Sequence, residues 1–111
     1  MKYISDISFE TILVKIKTYI DGDTAISYKD GKKCQKDISE HLDHGAKVIL
    51  DFTGVDYVIT AFLNPIIGDL ILERGNDVMQ YIGIKNANDS IIQKIKLVKD
   101  GALMKREDLD E

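Results

Sequence analysis

The residues best suited to chemistry in this chain lie between an apolar run and the apolar helix that follows it. Residues 47 to 52 are typical of a buried strand, and residues 61 to 74 are typical of a helix. Thr60 and Asn64 stand where that helix would begin. The first N–H groups of a helix have no partner within it, and together with the helix dipole they bind anions readily. We therefore expect a phosphate at this helix start, carried either by a ligand or by the Thr60 hydroxyl.

Thr60 also has a purely structural interpretation. As the N-cap residue, its oxygen would accept a hydrogen bond from an unpaired N–H, which stabilises a helix by about 1 kcal/mol. A cap can still be modified, so both roles remain open. Asn64 followed by Pro65 offers a different start, with Asn64 as the cap and Pro65 at the first helical position. Thr60 would then lie in a loop.

Two further groups of side chains suggest a metal site but lack the ligands for one. Asp51 and Asp56 supply two carboxylates without other oxygen ligands, which gives poor affinity for Mg²⁺. We expect Asp51 to accept hydrogen bonds from N–H groups of the following turn instead. Cys34 falls on an apolar helical stripe with Ile38 and Leu42. We interpret it as a buried thiol and not as a zinc ligand beside the histidines at positions 41 and 44.

The serines and histidines form no visible catalytic group. The serines at positions 27, 39 and 90 have no nucleophile-elbow context, and neither histidine has an evident place opposite them. The chain also has no Gly-rich phosphate loop. We predict that the protein is not an enzyme and uses no cofactor and no metal.

Length, charge and cysteine content narrow the class of protein. A chain of 111 residues is the size of one domain, and we predict a single domain over residues 1–111. A net charge of −4 argues against nucleic acid as the main partner. No apolar run reaches the roughly 18 to 20 residues of a membrane span, and the first residues lack the apolar core of a secretion signal. A single cysteine fits a reducing compartment, so we expect a cytoplasmic protein that does not bind membranes.

The first part of the chain predicts a hairpin. Polar and apolar residues alternate toward Ile20, as in a half-buried strand, although a helix over residues 9 to 20 remains an alternative. Asp21-Gly22 is a strong hairpin signal, and residues 24 to 28 would form the return strand. Asp30-Gly31 predicts a second turn before the helix that carries Cys34.

Helices and strands then alternate. The helix with Cys34 should end at His44-Gly45, and the helix over residues 61 to 74 at Gly75-Asn76. We predict a strand over residues 78 to 84, a last helix ending at Asp100-Gly101, and a frayed charged tail over residues 105–111. The order β-β-α-β-α-β-α predicts an α/β fold with a mixed four- to five-stranded sheet, which opens with an antiparallel hairpin and has its helices mainly on one face.

The central segment resembles the STAS domain, named after sulfate transporters and anti-sigma factor antagonists, and is most similar to bacterial STAS-like proteins of unknown function. The residues that carry the resemblance are Leu50-Asp51-Phe52, Gly54-Val55, the segment Ile59-Thr60-Ala61-Phe62-Leu63-Asn64, and Gly68. With the order of elements included, the resemblance extends from about Ala25 to Leu103.

The resemblance implies a regulatory role. In anti-sigma factor antagonists, a Ser at the start of this helix is phosphorylated by a partner kinase, and Thr60 takes that position here, with Ala61 at the next. Ile59 and Phe62 replace the Asp and Gly of that motif, which alters the partner surface, and Asn64-Pro65 replaces a small apolar pair. The implied function is a protein-binding module whose partner is an ATPase or kinase of the histidine-kinase type. Its predicted binding residues are Lys29, Asp51, Tyr57, Thr60, Ala61 and Asn64.

A small-ligand or nucleotide-binding module is the alternative. It would hold a phosphate at the same helix start, in a pocket beside Asp51 and Tyr57. A homodimer is compatible with either function.

Overall fold

The computed structural model describes residues 10 to 110, and the side chains of residues 10 to 107. Its helices are α1 (Tyr28–Asp43), α2 (Thr60–Leu63), α3 (Asp69–Arg74) and α4 (Asp89–Asp110). A π-helical segment, Asn64–Gly68, joins α2 to α3 without a break. The strands are β1 (Thr11–Lys15), β2 (Thr24–Ala25), β3 (Lys47–Asp51), β4 (Tyr57–Val58) and β5 (Ile82–Lys85), and two 3-10 helices cover Ile16–Tyr19 and Asn76–Tyr81.

The strands form a three-stranded parallel sheet in the order β1-β3-β5 and a short parallel pair of β2 with β4. Val48 and Leu50 of β3 are fully buried among the helices, whereas Leu13, which points to the opposite face from Val14, is 44% exposed. The helices therefore pack mainly on one face of the main sheet. The α/β, STAS-like fold class predicted from the sequence is confirmed.

The predicted antiparallel hairpin at Asp21-Gly22 is wrong. After Lys15 the chain turns into the 3-10 helix, and Thr24 of β2 pairs in parallel with Tyr57 of β4. Every pairing among the described strands is parallel, so this part of the chain forms no mixed sheet. In place of the backbone hydrogen bonds of a hairpin, side chains bind backbone carbonyls in this segment. The Lys17 ammonium donates to the Gly22 carbonyl at 2.7 Å, and the Thr18 hydroxyl donates to the Lys15 carbonyl at 2.6 Å. Such local side-chain bonds compete with strand pairing.

Helix α1 starts earlier than the sequence pattern predicts. Asp30-Gly31 is not a turn but lies inside α1, whose N-cap is Ser27. The Ser27 hydroxyl oxygen accepts a hydrogen bond from the Asp30 N–H at 3.2 Å, which satisfies one unpaired donor of the first turn. The predicted end is confirmed, since α1 stops at Asp43 and Gly45 has a φ of 84°.

The C-terminal part differs from the prediction at two boundaries. The strand expected over residues 78 to 84 begins only at Ile82, after the second 3-10 helix. The predicted helix end at Gly101 is wrong, because α4 continues to Asp110 and residues 105 to 110 are helical; Glu111 lies outside the described residues. Tertiary contacts outweigh the cost of about 1 kcal/mol for a helical glycine. Ala102 is buried beside Gly68, and the Arg106 guanidinium donates to the Leu72 carbonyl at 2.7 Å.

The core forms around the helical path from Thr60 to Arg74. In the sequence, apolar residues repeat here at a spacing of four, which predicts two rows on the buried face of a helix. Both rows are fully buried: they comprise Phe62, Leu63, Ile66, Ile67, Leu70 and Ile71. They pack between the main sheet, α1 and α4. None of the helices in the described part of the chain is long and apolar enough to cross a membrane.

Helix α1 approaches this core most closely at Gly31. A Cβ placed there would lie 2.5 Å from the Phe62 carbonyl oxygen and 2.8 Å from Cγ of Pro65. Both distances are too short for non-bonded contact, so the two helical elements can pack in this way only because residue 31 has no side chain.

Gly31→Ala should therefore destabilise the protein by about 2 kcal/mol or more, since backbone must move to admit one methyl group. Gly101→Ala is the matched control, because a Cβ at that exposed helical position meets no atom within 4 Å. We expect Gly101→Ala to stabilise the protein by about 0.5 to 1 kcal/mol through helix propensity. Urea unfolding followed by circular dichroism measures both; equal effects of the two substitutions would contradict the close contact.

Candidate functional site

The start of α2 leaves two backbone donors open. Ile59 is the N-cap residue, and its carbonyl accepts hydrogen bonds from the N–H groups of Phe62 at 3.1 Å and Leu63 at 3.3 Å. The N–H groups of Thr60 and Ala61 form no hydrogen bond within the described residues. Two unpaired donors at a helix start are suited to a negatively charged group.

Thr60 is the first residue of α2 and not its cap. Its side chain is exposed, and its hydroxyl makes no hydrogen bond to the part of the chain that the structure describes. The interpretation of Thr60 as an N-cap is therefore wrong, and so is the later helix start with Asn64 as the cap. The hydroxyl is left free at the same place where the backbone donors are open.

Pro65 widens the helix one turn further on. Proline has no N–H to donate to the carbonyl four residues earlier, and its ring would clash with that carbonyl in a regular α-helix. The backbone accommodates it as a π-helical turn, in which the Asp69 N–H donates to the Asn64 carbonyl five residues earlier. Pro65 itself is buried, whereas the Asn64 side chain is exposed on the same side of the molecule as Thr60.

Thr60 and Asn64 line one groove of about 530 Å³. The groove lies between α4 and the helical path from Thr60 to Leu72, with Gly68 in its wall and Lys105 near the C-terminal part of α4. Two large apolar side chains along it are open to solvent: Tyr28 is 54% exposed and Leu97 is 66% exposed. We call this feature the Thr60 groove.

The other predicted binding residues lie around or away from this groove. Ala61 is half-buried beside Thr60, and Lys29 is exposed in the first turn of α1, next to Tyr28. Tyr57 is 47% exposed and holds the Lys94 ammonium 3.9 Å from the centre of its ring. Tyr57 does not line the Thr60 groove, and Asp51 lies in a separate cleft.

Asp51 ends β3 and organises the loop that follows it. One carboxylate oxygen, Oδ1, accepts hydrogen bonds from the Thr53 N–H at 3.0 Å, the Thr53 hydroxyl at 2.6 Å and the Asn86 amide at 3.1 Å. These bonds, with the Thr53 hydroxyl as the largest contributor, lower the pKa of Asp51 below its ordinary value. The expectation that Asp51 accepts hydrogen bonds from the following turn is confirmed; Asp56 is not among its partners.

Several residues of these sites were missed from the sequence. Thr53 and Asn86 follow the ends of β3 and β5, and parallel strands that are neighbours in a sheet bring such ends together. That signal could have been used once the pairing of the strands was known. Tyr28 and Leu97 carried no signal, because their exposure depends on how α1 and α4 pack.

Cys34 has the structural role that the sequence indicates. It is fully buried in α1, and its burial raises the pKa of the thiol to about 12. The described residues contain no group of three or more His, Cys, Asp or Glu side chains arranged to hold a metal ion.

Comparison with known proteins places the chain in a family. A family model described as the STAS-like domain of unknown function (DUF4325) matches residues 30–91, which span α1, β3, the Thr60 helix start, β5 and the first residues of α4. The match covers more than half of the chain, and the protein belongs to this family. No curated protein and no solved structure matches the chain.

The hydrogen bonds to Asp51 lead to a prediction for its titration. Folding lowers its pKa, so the stability that it contributes is present above the unfolded value of about 3.9 and is lost as the pH falls through the folded pKa. Carboxyl ¹³C NMR should therefore give a midpoint below about 3.9 for Asp51. Asn86→Gly should raise that midpoint, since it removes one donor while glycine keeps the φ of 60° at this position. An unchanged midpoint in Asn86→Gly would contradict the contribution of the amide.

Proposed function

We propose that the protein is a regulatory module that binds a partner protein over the Thr60 groove and that phosphorylation of Thr60 releases the partner. The observation that supports this proposal most directly is the combination at Thr60 of an exposed, unbonded hydroxyl with two unpaired N–H groups. The family to which the chain belongs is described as STAS-like and of unknown function, and the likeness to STAS domains supports a regulatory role.

The Thr60 groove has the surface of a protein-binding site. Tyr28 and Leu97 expose large apolar side chains along it. Contiguous exposed apolar groups on a folded domain commonly mark an interaction surface. Thr60, Asn64 and Lys105 supply polar groups around them, as in the rim of a typical interface.

The charge of a phosphate would affect the module and the complex differently. Phosphothreonine carries about −1.5 to −2 charges at pH 7. In the free module, the unpaired N–H groups of Thr60 and Ala61 and the helix dipole would stabilise that charge. In the complex, a docked partner would have to desolvate it at a cost of several kcal/mol unless it supplied a matching cation. That cost is comparable to the roughly 8 kcal/mol that holds a micromolar complex together.

We assign the partner to ATPases or kinases of the histidine-kinase type because of the likeness to anti-sigma factor antagonists. We also assign the protein to the cytoplasm. Two of the departures from that motif, Phe62 and Ile59, have different structural settings here. Phe62 is fully buried, so its side chain belongs to the core and not to the partner surface. Ile59 is half-buried at the cap of α2. The proposed docking surface therefore differs from that of the anti-sigma factor antagonists, and it uses Tyr28, Thr60 and Asn64.

A nucleotide or another small phosphate ligand at the helix start is the second candidate. The open N–H groups of Thr60 and Ala61 support it as well. Such a ligand would need a pocket lined by both Asp51 and Tyr57. Asp51 lines a cleft separate from the Thr60 groove, and Tyr57 lines neither of the two. We therefore prefer the protein-binding function.

Thr60→Glu should mimic the phosphorylated state and weaken partner binding at least about tenfold, while the free energy of unfolding changes by less than about 0.5 kcal/mol. Thr11→Glu, at an exposed position on β1, is the matched control and should leave binding unchanged. The measurement is a pull-down from lysate of the source organism with identification by mass spectrometry, followed by titration of the purified partner. Equal retention of the partner by both variants would place its docking site elsewhere.

Leu97→Ala should remove apolar contact with the partner and weaken binding by about 1 to 2 kcal/mol, with little change in stability because the side chain is mostly exposed. Ile92→Ala is the control, since Ile92 lies on the same helix, is 47% exposed and does not line the Thr60 groove. The same titration measures both variants. Equal losses from the two substitutions would argue against the groove as the interface.

A further inference from the structure

Helix α4 contains a glycine that no contact in the described chain requires. Gly101 is exposed in the middle of this helix, and a Cβ placed there would meet no atom within 4 Å. Glycine is less favourable than alanine in a helix, so Gly101 weakens α4 without a gain in packing. Gly31 is the opposite case, because the backbone of Phe62 excludes any side chain there. A glycine on an open helix face permits the close approach of another backbone, and at Gly101 the described chain supplies none.

Gly101 lines the Thr60 groove beside two other residues with little or no side chain, Gly68 and Ala102. Leu97, one turn earlier on α4, lines the same groove and is 66% exposed. A large apolar side chain and a stretch without side chains therefore lie next to each other on one surface. Such a surface is complementary to its own copy across a two-fold axis, because Leu97 of each molecule can cover the bare stretch of the other.

Two charges in the Thr60 groove are also self-complementary. Asp69 is half-buried, Lys105 is exposed, and neither forms an ion pair with another described side chain. Asp69 lies level with Gly101, because the residue before it packs against α4 at Val98 and Ala102. Lys105 follows Gly101 by four residues, which is about 6 Å along the helix. The long side chain of a lysine spans that distance.

We propose that the Thr60 groove binds a second copy of this chain, with the two α4 helices crossing at Gly101. The crossing places Lys105 of each copy within reach of Asp69 of the other, so both charges gain a partner. Both halves of each ion pair are present on this one surface, so a second copy satisfies them without any further residue.

The proposed dimer does not rest on the proposed function, although it uses the same groove. If a partner docks over the groove as proposed above, the second copy competes with that partner. Self-association would then limit partner binding in addition to phosphorylation of Thr60.

The alternative is that no second copy binds and that the charges of the groove are solvated or attract each other within one chain. The two cases differ in a measurable way. Within one chain, the reversal of a charge affects that molecule alone. Across an interface, a second molecule with the complementary reversal restores the attraction.

Sedimentation velocity of the purified full chain tests the interface first. We expect an equilibrium between monomer and dimer over roughly 10 µM to 1 mM, as for a small interface. Gly101→Leu should weaken the dimer at least about tenfold, because the added side chain separates the helices at their crossing. Thermal unfolding should show this variant to be at least as stable as the wild type, since leucine has the higher helix propensity. Lys96→Leu, at an exposed α4 position outside the groove, is the control and should leave the dimer unchanged.

Charge reversal then identifies the pairing. Asp69→Lys and Lys105→Asp should each weaken the dimer about tenfold, because like charges then face each other across the interface. An equimolar mixture of the two variants should recover an affinity within about threefold of the wild type, since each variant supplies the charge that the other needs. Each reversal changes the net charge by two, from −4 to −2 or −6, so both variants stay negative and attraction between oppositely charged chains does not explain the recovery.

A wild type that stays monomeric up to about 1 mM would overturn the proposal. Unchanged dimer affinity in Gly101→Leu would also overturn it, as would a mixture of the charge variants that associates no better than either variant alone. These results leave the proposed partner binding intact, because sedimentation of the purified chain involves no partner. Failure to capture a partner likewise leaves the dimer intact.

Discussion

The contact between α1 and the helical path that begins at Thr60 determines the arrangement of the rest of the molecule. At Gly31 the backbone of α1 comes so close to the Phe62 carbonyl and the Pro65 ring that no side chain fits between them. This approach lets α1 cover the buried rows of the central helical path from one side while α4 covers them from another. It also places Tyr28, one turn before Gly31, along the groove that Thr60 lines. Packing in the core thereby positions the surface that carries the proposed function.

The two candidate sites are built by different physical means. The Thr60 groove depends on helix packing, and its polar groups are backbone donors left open by the start of a helix. The Asp51 cleft depends on the parallel sheet, which brings the ends of β1, β3 and β5 together, and on side-chain hydrogen bonds from Thr53 and Asn86. The segment from residue 52 to residue 59, which includes β4, connects Asp51 to the cap of α2.

The sequence predicts the parts of the fold that local chemistry dictates. The apolar rows around Phe62, the end of α1 at Gly45 and the burial of Cys34 follow from periodicity and glycine geometry, and each is confirmed. The errors arise where distant contacts decide. Asp21-Gly22 has the residues of a hairpin, yet β2 pairs with β4, more than thirty residues further along the chain. Gly101 has the residue type of a helix end, yet the contacts of Ala102 and Arg106 continue α4 past it.

The sites show the same division between local and distant information. The predicted position of Thr60 at a helix start is close to what the structure has, because strand-to-helix transitions are visible in the pattern of apolar residues. Its role as a cap is wrong, because the N-cap residue is Ile59, which is also bound to a distant part of the chain through the hydrogen bond that its N–H donates to the Ala25 carbonyl in β2. Lys15 and Lys85, which end β1 and β5, have no feature in the sequence that distinguishes them from the other lysines. Only the pairing of three strands turns them into neighbours of Asp51.

The π-helical turn at Pro65 constrains how this family member can evolve. A π turn holds one more residue than the α-helical turn that it replaces. Deleting a single residue from Asn64–Gly68 would therefore turn it into a regular helical turn and leave the segments before and after it in nearly the same orientation, so that Phe62 would stay in the core and Thr60 in the groove. The residue to lose is Pro65, because in a regular α-helix its ring would clash with the carbonyl four residues earlier. The presence of the proline and the length of this segment are therefore linked, and relatives without the proline should be one residue shorter here.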